Sequence, residues 1–248
     1  MSRTHLIIPD SHAHPDFSNE RYSWLGQLIC DIKPDVVVDI GDWFDMPSLC
    51  SYDKGKKGFE GRRYYRDIAA GVEAQDRLLA PIRRAKKKLP RFVRCLGNHE
   101  ERILRAVSGD PVLEGTIGLG DLQSAHYGWE EHNYKDVVNI DGVNYSHAFI
   151  SGVKGLPVTS ANLLLAKQHA SCTMGHVHTF DYAIHGRVGG GHLHGLFCGV
   201  YQDYHADYAG PANELWRPGI VVKRGVEDGN YDLEWISLKR IKAEYSGK

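Results

Sequence analysis

Side chains that commonly bind metals follow short apolar runs at five places in the sequence. They are Asp10 and His12, Asp42 and Asp45, Asn98 and His99, His147, and finally His176 and His178. Carboxylate and imidazole groups suit Mn, Fe or Zn, and one aspartate with two oxygens can bridge two ions about 3.5–4 Å apart. These residue types predict a two-metal site, in which Asp42 is the natural bridge.

The apolar runs have the length and composition of β-strands. They cover residues 6–8, 36–40, 92–96, 137–140, 143–150, 172–175, 220–224 and 231–238. Helices are predicted between them, over about 19–32, 62–88 and 159–169, and the pair Asp141-Gly142 predicts a hairpin turn. Alternating strands and helices indicate βαβ crossovers, which bring the residues that follow the strands to one edge of a sheet.

Length and composition are those of an ordinary globular protein of 248 residues, and we expect a single domain over residues 1–248. The net charge of -1 gives no general attraction for nucleic acid or membrane surfaces. Neither a membrane helix nor a signal peptide is predicted, so we expect a cytoplasmic protein with no membrane partner. The five cysteines include no CxxC pair, which favours reduced thiols.

Together the motifs Asp-x-His, Gly-Asp-x-x-Asp, Gly-Asn-His-Glu, a single His after a strand and Gly-His-x-His resemble the calcineurin-like metallophosphoesterase superfamily in their order over residues 10–178. The overall layout is similar to compact phosphoesterases of tailed-phage genomes. The resemblance implies an α/β fold, a four-layer αββα sandwich of two mixed β-sheets flanked by helices. It also implies one metal site formed by Asp10, His12, Asp42 and His178, and a second formed by Asp42, Asn98, His147 and His176.

The chemistry implied by such a site is hydrolysis of a phosphoester. Two divalent ions would lower the pKa of a water and neutralise charge on phosphoryl oxygens. Manganese is the expected metal, and Fe, Zn or Ni are the alternatives. His99 is the expected general acid, and Asp45 is expected to orient it. Glu100 is expected to give a supporting hydrogen bond.

Two departures from the pattern of Ser/Thr protein phosphatases concern the substrate. Met46 and Leu96 stand where those enzymes carry the arginines that grip a phosphomonoester. The sequence therefore favours a phosphodiesterase that acts on nucleic acid or nucleotide diesters. A phosphomonoesterase or a protein phosphatase resembling the phage lambda enzyme is the alternative, and a non-catalytic metal-binding scaffold is a third hypothesis.

A basic segment at residues 51–66, called the lip here, could contact the phosphates of a single-stranded nucleic acid or nucleotide. Its candidate cations are Lys54, Lys56, Lys57, Arg62 and Arg63. A solvated loop is an equally good interpretation of the lip. Lys154, in the loop after His147, is a further candidate phosphate contact, and monomer and homodimer both remain open.

A second Gly-His-x-His follows at residues 191–194. In a strand, His192 and His194 would share one face. We do not expect this pair to bind metal, because it leads into a predicted strand and does not follow one.

Overall fold

The computed structural model of the protein describes residues 2–85 and 88–247. One mixed sheet has six strands: β1 (Arg3–Ile8), β2 (Val36–Asp39), β3 (Arg91–Cys95), β4 (Trp129–His132), β10 (Gly219–Glu227) and β11 (Asn230–Ser237). Their spatial order is β11-β10-β1-β2-β3-β4. Strands β1 to β4 pair in parallel, while β10 runs antiparallel to both of its neighbours. Four parallel strands thus end at one edge.

The second mixed sheet has five strands: β5 (Val138–Ile140), β6 (Val143–Tyr145), β7 (Cys172–Met174), β8 (Phe180–Gly186) and β9 (His192–Cys198). Their order is β5-β6-β7-β9-β8. Strands β6, β7 and β9 are parallel, and β5 and β8 are antiparallel to their neighbours. The hairpin between β5 and β6 turns at Asp141 and Gly142, both with positive φ, as a type I′ turn requires.

In residues 2–85 and 88–247 the α-helices are α1 (Glu20–Ile32), α2 (Tyr64–Arg84), α3 (Glu101–Gly109), α4 (Ser124–Tyr127), α5 (Ala161–Gln168) and α6 (Leu238–Tyr245). Helices α1, α2 and α6 contribute to the core on the outer face of the six-stranded sheet, and α5 packs on the outer face of the five-stranded sheet. No helix in the described parts of the chain is long and apolar enough to span a membrane.

Alternation along the strands explains the layers. In β1, Leu6 and Ile8 face the helices, whereas Ile7 between them faces the other sheet. In β9, Leu196 faces the first sheet and Phe197 faces the layer of α5. Because successive side chains of a strand point to opposite faces, every central strand is covered on both sides. The predicted four-layer αββα arrangement with two mixed sheets is confirmed.

Several elements differ from the sequence prediction. Strands β4 and β8 were not predicted, and the chain after Ser237 forms α6, with the Ser237 hydroxyl accepting from the Arg240 N–H at its start. The predicted strand over 143–150 ends at Tyr145. Helix α2 ends at Arg84, and Lys86 and Lys87 of the predicted helix 62–88 lie outside the described residues.

Candidate metal centre

The predicted ligands lie where five parallel strands end. Asp10 is two residues beyond β1, Asp42 and Asn98 are three residues beyond β2 and β3, and His147 and His176 are two residues beyond β6 and β7. The early end of β6 at Tyr145 is therefore what frees His147 to enter the site. The two sheets meet at this edge through an isolated parallel bridge between Asp10 and Val200.

A first donor set consists of Asp10, His12, Asp42 and His178, all buried, with one donor atom from each lying within 4.8 Å of the others. His178 Nε2 is 3.1 Å from Asp10 Oδ2 and 3.1 Å from His12 Nε2. These are the four residues expected at the first metal. The cluster could hold a divalent ion.

A second donor set meets the first at Asp42. His147 Nε2 is 3.0 Å from Asn98 Oδ1 and 3.4 Å from Asp42 Oδ2. His176 Nδ1 is 2.7 Å from the same Asn98 oxygen. The structure thus brings together the four residues expected at the second metal.

Buried lone pairs without a hydrogen-bond donor show that the cluster fits cations. His147 Nδ1 lies 3.0 Å from the Ile40 carbonyl oxygen, which can only accept. A neutral His147 ring therefore turns its Nε2 lone pair toward the oxygens of Asn98 and Asp42. Asp10 Oδ1 is buried and has no hydrogen-bond partner in the described structure. A buried oxygen without a donor is costly, and a bound divalent cation would satisfy these atoms.

The backbone around the ligands is strained. His12, Asp42, His176 and His178 have φ of 44°, 53°, 72° and 59°. Such conformations are uncommon for residues other than glycine and concentrate at functional sites. Glycines make room beside them: a Cβ on Gly97 would come within 2.0 Å of Asp42 Oδ1, and one on Gly175 within 2.1 Å of Asp10 Oδ1.

Glu100 holds two ligand loops together. Its fully buried carboxylate accepts from the backbone N–H of Gly97 at 2.8 Å, Asp42 at 3.1 Å and Phe44 at 2.8 Å. Burial, with the nearby Asp42 carboxylate adding to it, raises the pKa of Glu100 to about 7. Three hydrogen bonds are more support than the sequence suggested.

Two buried arginines, which sequence reasoning missed, fix neighbouring loops. Arg21 donates to the carbonyl oxygens of Ser11, His12 and Tyr201. It thereby ties the turn that carries His12 to the chain after β9. Arg94 Nε is 2.6 Å from Asp39 Oδ2, at the end of β2. Sequence reasoning missed both arginines because only the fold brings their partners to them.

Opposite charges in the cluster shift the pKa values of one another. Burial alone would raise the pKa of Asp42, but the imidazoles of His147, His99 and His12 outweigh burial and lower it. Burial alone would lower the pKa of His147, but Asp42 and Asp10 outweigh burial and raise it. The carboxylates of Asp42 and Asp10 therefore favour a positive charge on or beside the His147 ring.

His99 and Asp45 lie against the first donor set. His99 Nδ1 is 2.6 Å from the Asp45 carbonyl oxygen and 3.2 Å from Asp45 Oδ1, and Asp45 Oδ1 is also 2.9 Å from His12 Nδ1. Burial lowers the pKa of His99, but the carboxylates of Asp42 and Asp45 outweigh it and raise the pKa. His14 Nε2 is more distant, 3.7 Å from Asp45 Oδ2.

Arg102 is a neighbour of His99 that sequence reasoning missed. Its Nη2 is 3.0 Å from His99 Nε2, and its Nη1 donates to the carbonyl oxygens of Asp45 at 2.8 Å and Met46 at 3.2 Å. Sequence reasoning missed Arg102 because α3, the helix that carries it, was not predicted.

A groove of about 510 Å³ opens beside the second donor set. Among the residues that line it are Asn98, His176, Arg102, Arg105 and, from the lip, Tyr52 and Lys54.

The other predicted phosphate contacts lie elsewhere. Arg62 donates to Pro47 O and Asp53, Lys56 pairs with Asp53, and Arg63 donates to the Arg62 carbonyl. Lys57 is exposed at the start of a 3-10 turn. Lys154 is exposed, and no contact ties it to the donor sets among the residues described.

The second Gly-His-x-His lies inside β9. His194 is buried and hydrogen-bonded through Nδ1 to the Tyr182 hydroxyl at 2.6 Å, and its ring lies 4.3 Å from that of Tyr231. His192 is exposed, and its ring is 6.4 Å from that of His194. Neither belongs to a cluster of metal-binding side chains in the part of the chain that is described.

No protein-family model matches the sequence, and no curated protein matches it. Solved structures do match. One crystal structure covers 96% of this chain and 100% of its own, with 13% identity and a TM-score of 0.45. Another, described as Yfce, a phosphoesterase from E. coli, covers 95% of this chain and 99% of its own, with 12% identity and a TM-score of 0.40.

Proposed function

We propose that the protein is a phosphoester hydrolase dependent on two divalent metal ions, and that it cleaves diesters of nucleic acids or nucleotides. The observation that carries the proposal is the meeting of two donor sets at Asp42, one with Asp10, His12 and His178 and the other with Asn98, His147 and His176. In the first set the buried Asp10 Oδ1 has no hydrogen-bond partner among the described residues. The order of the ligand motifs, which resembles that of the calcineurin-like metallophosphoesterases, supports it.

The ligand assignment follows the two donor sets. Asp10, His12, Asp42 and His178 would hold one ion, and Asp42, Asn98, His147 and His176 the other. When bound, such ions supply an activated water and positive charge at the phosphoryl oxygens. Oxygen and imidazole donors fit manganese first, with Fe, Zn or Ni as alternatives.

His99 would donate a proton to the leaving oxygen. Its Nδ1 is held by Asp45, so Nε2 is the atom that must carry the transferred proton. Arg102 occupies Nε2 as a donor in this structure. Arg102 must therefore leave the ring before His99 can act, and in leaving it frees a guanidinium N–H for a phosphoryl oxygen.

Diester specificity is supported by the residues at the two positions where Ser/Thr protein phosphatases carry the arginines that grip a phosphomonoester. Met46 and Leu96 are buried in the core, so no charge reaches the substrate from either position. A phosphomonoesterase, which is the second candidate, would need Arg102 and Arg105 as a replacement clamp. The complete donor sets argue against a non-catalytic scaffold.

Comparing three substrates with Mn supplied tests the proposal: a bis-aryl phosphate, a mono-aryl phosphate and single-stranded DNA. We expect turnover of the bis-aryl phosphate and of DNA, and a loss of about 10²- to 10⁴-fold in His99→Gln. His126→Gln, an exposed histidine on α4, is the matched control and should keep full turnover. Turnover of the monoester alone would overturn the diesterase proposal, and equal losses in both variants would overturn the role of His99.

A further inference from the structure

The groove beside Asn98 and His176 has two walls of different chemistry. One wall is α3, which carries Arg102 and Arg105. The other is the chain at residues 48–54, which carries Tyr52 and Lys54. The volume of the groove, about 510 Å³, lies in the range of ligand pockets.

The charge of the groove is positive although the whole protein is nearly neutral. Arg102, Arg105 and Lys54 border it, against one carboxylate, Asp110. That carboxylate accepts from the backbone N–H of Val112. The groove therefore attracts anions locally, which the net charge of the whole sequence does not show.

Arg102 and Arg105 differ in how many N–H groups they have free to donate to a ligand. Both nitrogens at the end of Arg102 are engaged by the protein. Arg105 uses Nη2 alone, donating to the Asn98 carbonyl oxygen at 2.6 Å, and Lys54 has no hydrogen bond or ion pair among the described residues. Arg105 is thus anchored on a predicted metal ligand with donors left for a second phosphate.

Tyr52 supplies an apolar surface at the rim. Its side chain is 81% exposed, and the turn that carries it is fixed by Arg62, which donates to Asp53 Oδ2 at 2.8 Å and to Pro47 O at 3.1 Å. An exposed aromatic ring beside cations is the arrangement on which unpaired bases stack. Arg62 thus holds the turn that carries Tyr52, although it does not line the groove itself.

From these features we infer that the groove binds the nucleotide next to the scissile phosphate of a single strand, with Arg105 on its phosphate and Tyr52 stacked on its base. This inference rests on the proposed function, because it defines the substrate of the same site as single-stranded nucleic acid. Within duplex DNA each base is stacked between its neighbours and offers no free face to Tyr52.

The test is binding of fluorescein-labelled dT8 to Mn-loaded His99→Gln protein, in which cleavage is suppressed. We expect Arg105→Gln and Tyr52→Ala each to raise Kd at least about tenfold. Arg105→Gln should also lower the slope of log Kd against log salt by about 0.7, the value for one phosphate contact on a single strand. Tyr52→Ala should weaken binding of dT8 more than that of an eight-base-pair duplex.

Matched controls are Arg240→Gln, whose side chain is 66% exposed on α6, and Tyr65→Ala, 70% exposed at the start of α2. Both should bind dT8 within about twofold of the parent. Equal losses in the groove variants and the controls, or equal weakening of dT8 and duplex by Tyr52→Ala, would overturn the inference.

Turnover in the native His99 background separates this inference from the proposed function. We expect Arg105→Gln to lower kcat/KM for DNA about tenfold more than kcat/KM for a bis-aryl phosphate, which has no neighbouring nucleotide. Equal losses would place Arg105 on the reacting phosphate and overturn the inference alone. If the wild type turned over no ester, the proposed function would fail, while the dT8 measurements would still test the groove.

Discussion

The two Gly-His-x-His segments share a sequence pattern and occupy different environments. His176 and His178 follow the end of β7 and have positive φ, so the chain leaves the sheet and both rings reach the donor sets. His192 and His194 lie within β9 and keep its extended conformation. The position of a motif relative to the end of a strand, more than its residue types, decides whether its histidines can converge on a metal.

Removing the histidines of the two segments should give the largest contrast. We expect His176→Ala and His178→Ala each to lower turnover of a bis-aryl phosphate by more than about 100-fold, because loss of even an outer partner of a metal ligand typically costs 10- to 100-fold. His192→Ala and His194→Gln should stay within about threefold of wild type. Steady-state kinetics with Mn supplied measures this, and comparable losses in the two segments would remove the distinction between them.

The glycines of the two segments should also differ. A Cβ on Gly175 would lie 2.1 Å from Asp10 Oδ1 and 2.8 Å from Ile40 Cγ2, so Gly175→Ala should cost about 3 kcal/mol of unfolding free energy and displace Asp10. Gly191 has a φ of +80° and its nearest neighbour would be Asn230 at 3.3 Å, so Gly191→Ala should cost about 1 kcal/mol. Urea unfolding, with metal content measured in parallel, checks both; metal loss in Gly191→Ala would contradict the comparison.

His194 should make stability depend on pH. Burial, with Lys223 and His192 adding to it, lowers the pKa of His194 to about 4. The unfolded chain therefore binds this proton more readily, and stability that is complete above pH 6.5 is lost as pH falls toward 4. Between pH 7.5 and 5 the loss should be about 2 kcal/mol.

His194→Gln, which keeps an acceptor for Tyr182, should remove that part of the pH dependence in urea unfolding at the two pH values. His5 will keep a similar dependence of its own, because burial lowers its pKa to about 4 as well. The groups that face His194 are Lys223, Tyr231, Asp232, Tyr182 and His192. An unchanged pH dependence in the variant would show that His194 titrates normally in the folded protein.

His192→Ala should have the smallest effect. His192 is exposed, and its backbone N–H bonds to Asn230 Oδ1 at 2.9 Å without needing the imidazole. We expect the unfolding free energy to change by less than about 0.5 kcal/mol. A larger loss in urea unfolding would reveal a role for this ring that the described contacts do not show.

Much of the site could be predicted from sequence because its ligands follow strands, and strand ends are marked by apolar runs. The layers follow from alternation, as in β1.

Strands β4 and β8 were missed because their residues are mostly polar or exposed, which leaves little periodic signal. Arg21 and Arg94 were missed because burial of an arginine depends on partners that the fold supplies. Five of the six predicted phosphate contacts do not line the groove, since charge along a loop does not say where each side chain lies. The single-domain organisation and the cytoplasmic location stay predictions.

Counting bound metal tests the central claim most directly. Protein stripped with a chelator and equilibrated by dialysis against Mn²⁺ should hold about two ions per chain by elemental analysis. His176→Ala and His178→Ala should each hold about one, and His194→Gln about two. A wild-type value of one or less, or a loss of metal in His194→Gln equal to that in His178→Ala, would contradict the assignment of two metals to the cluster around Asp42.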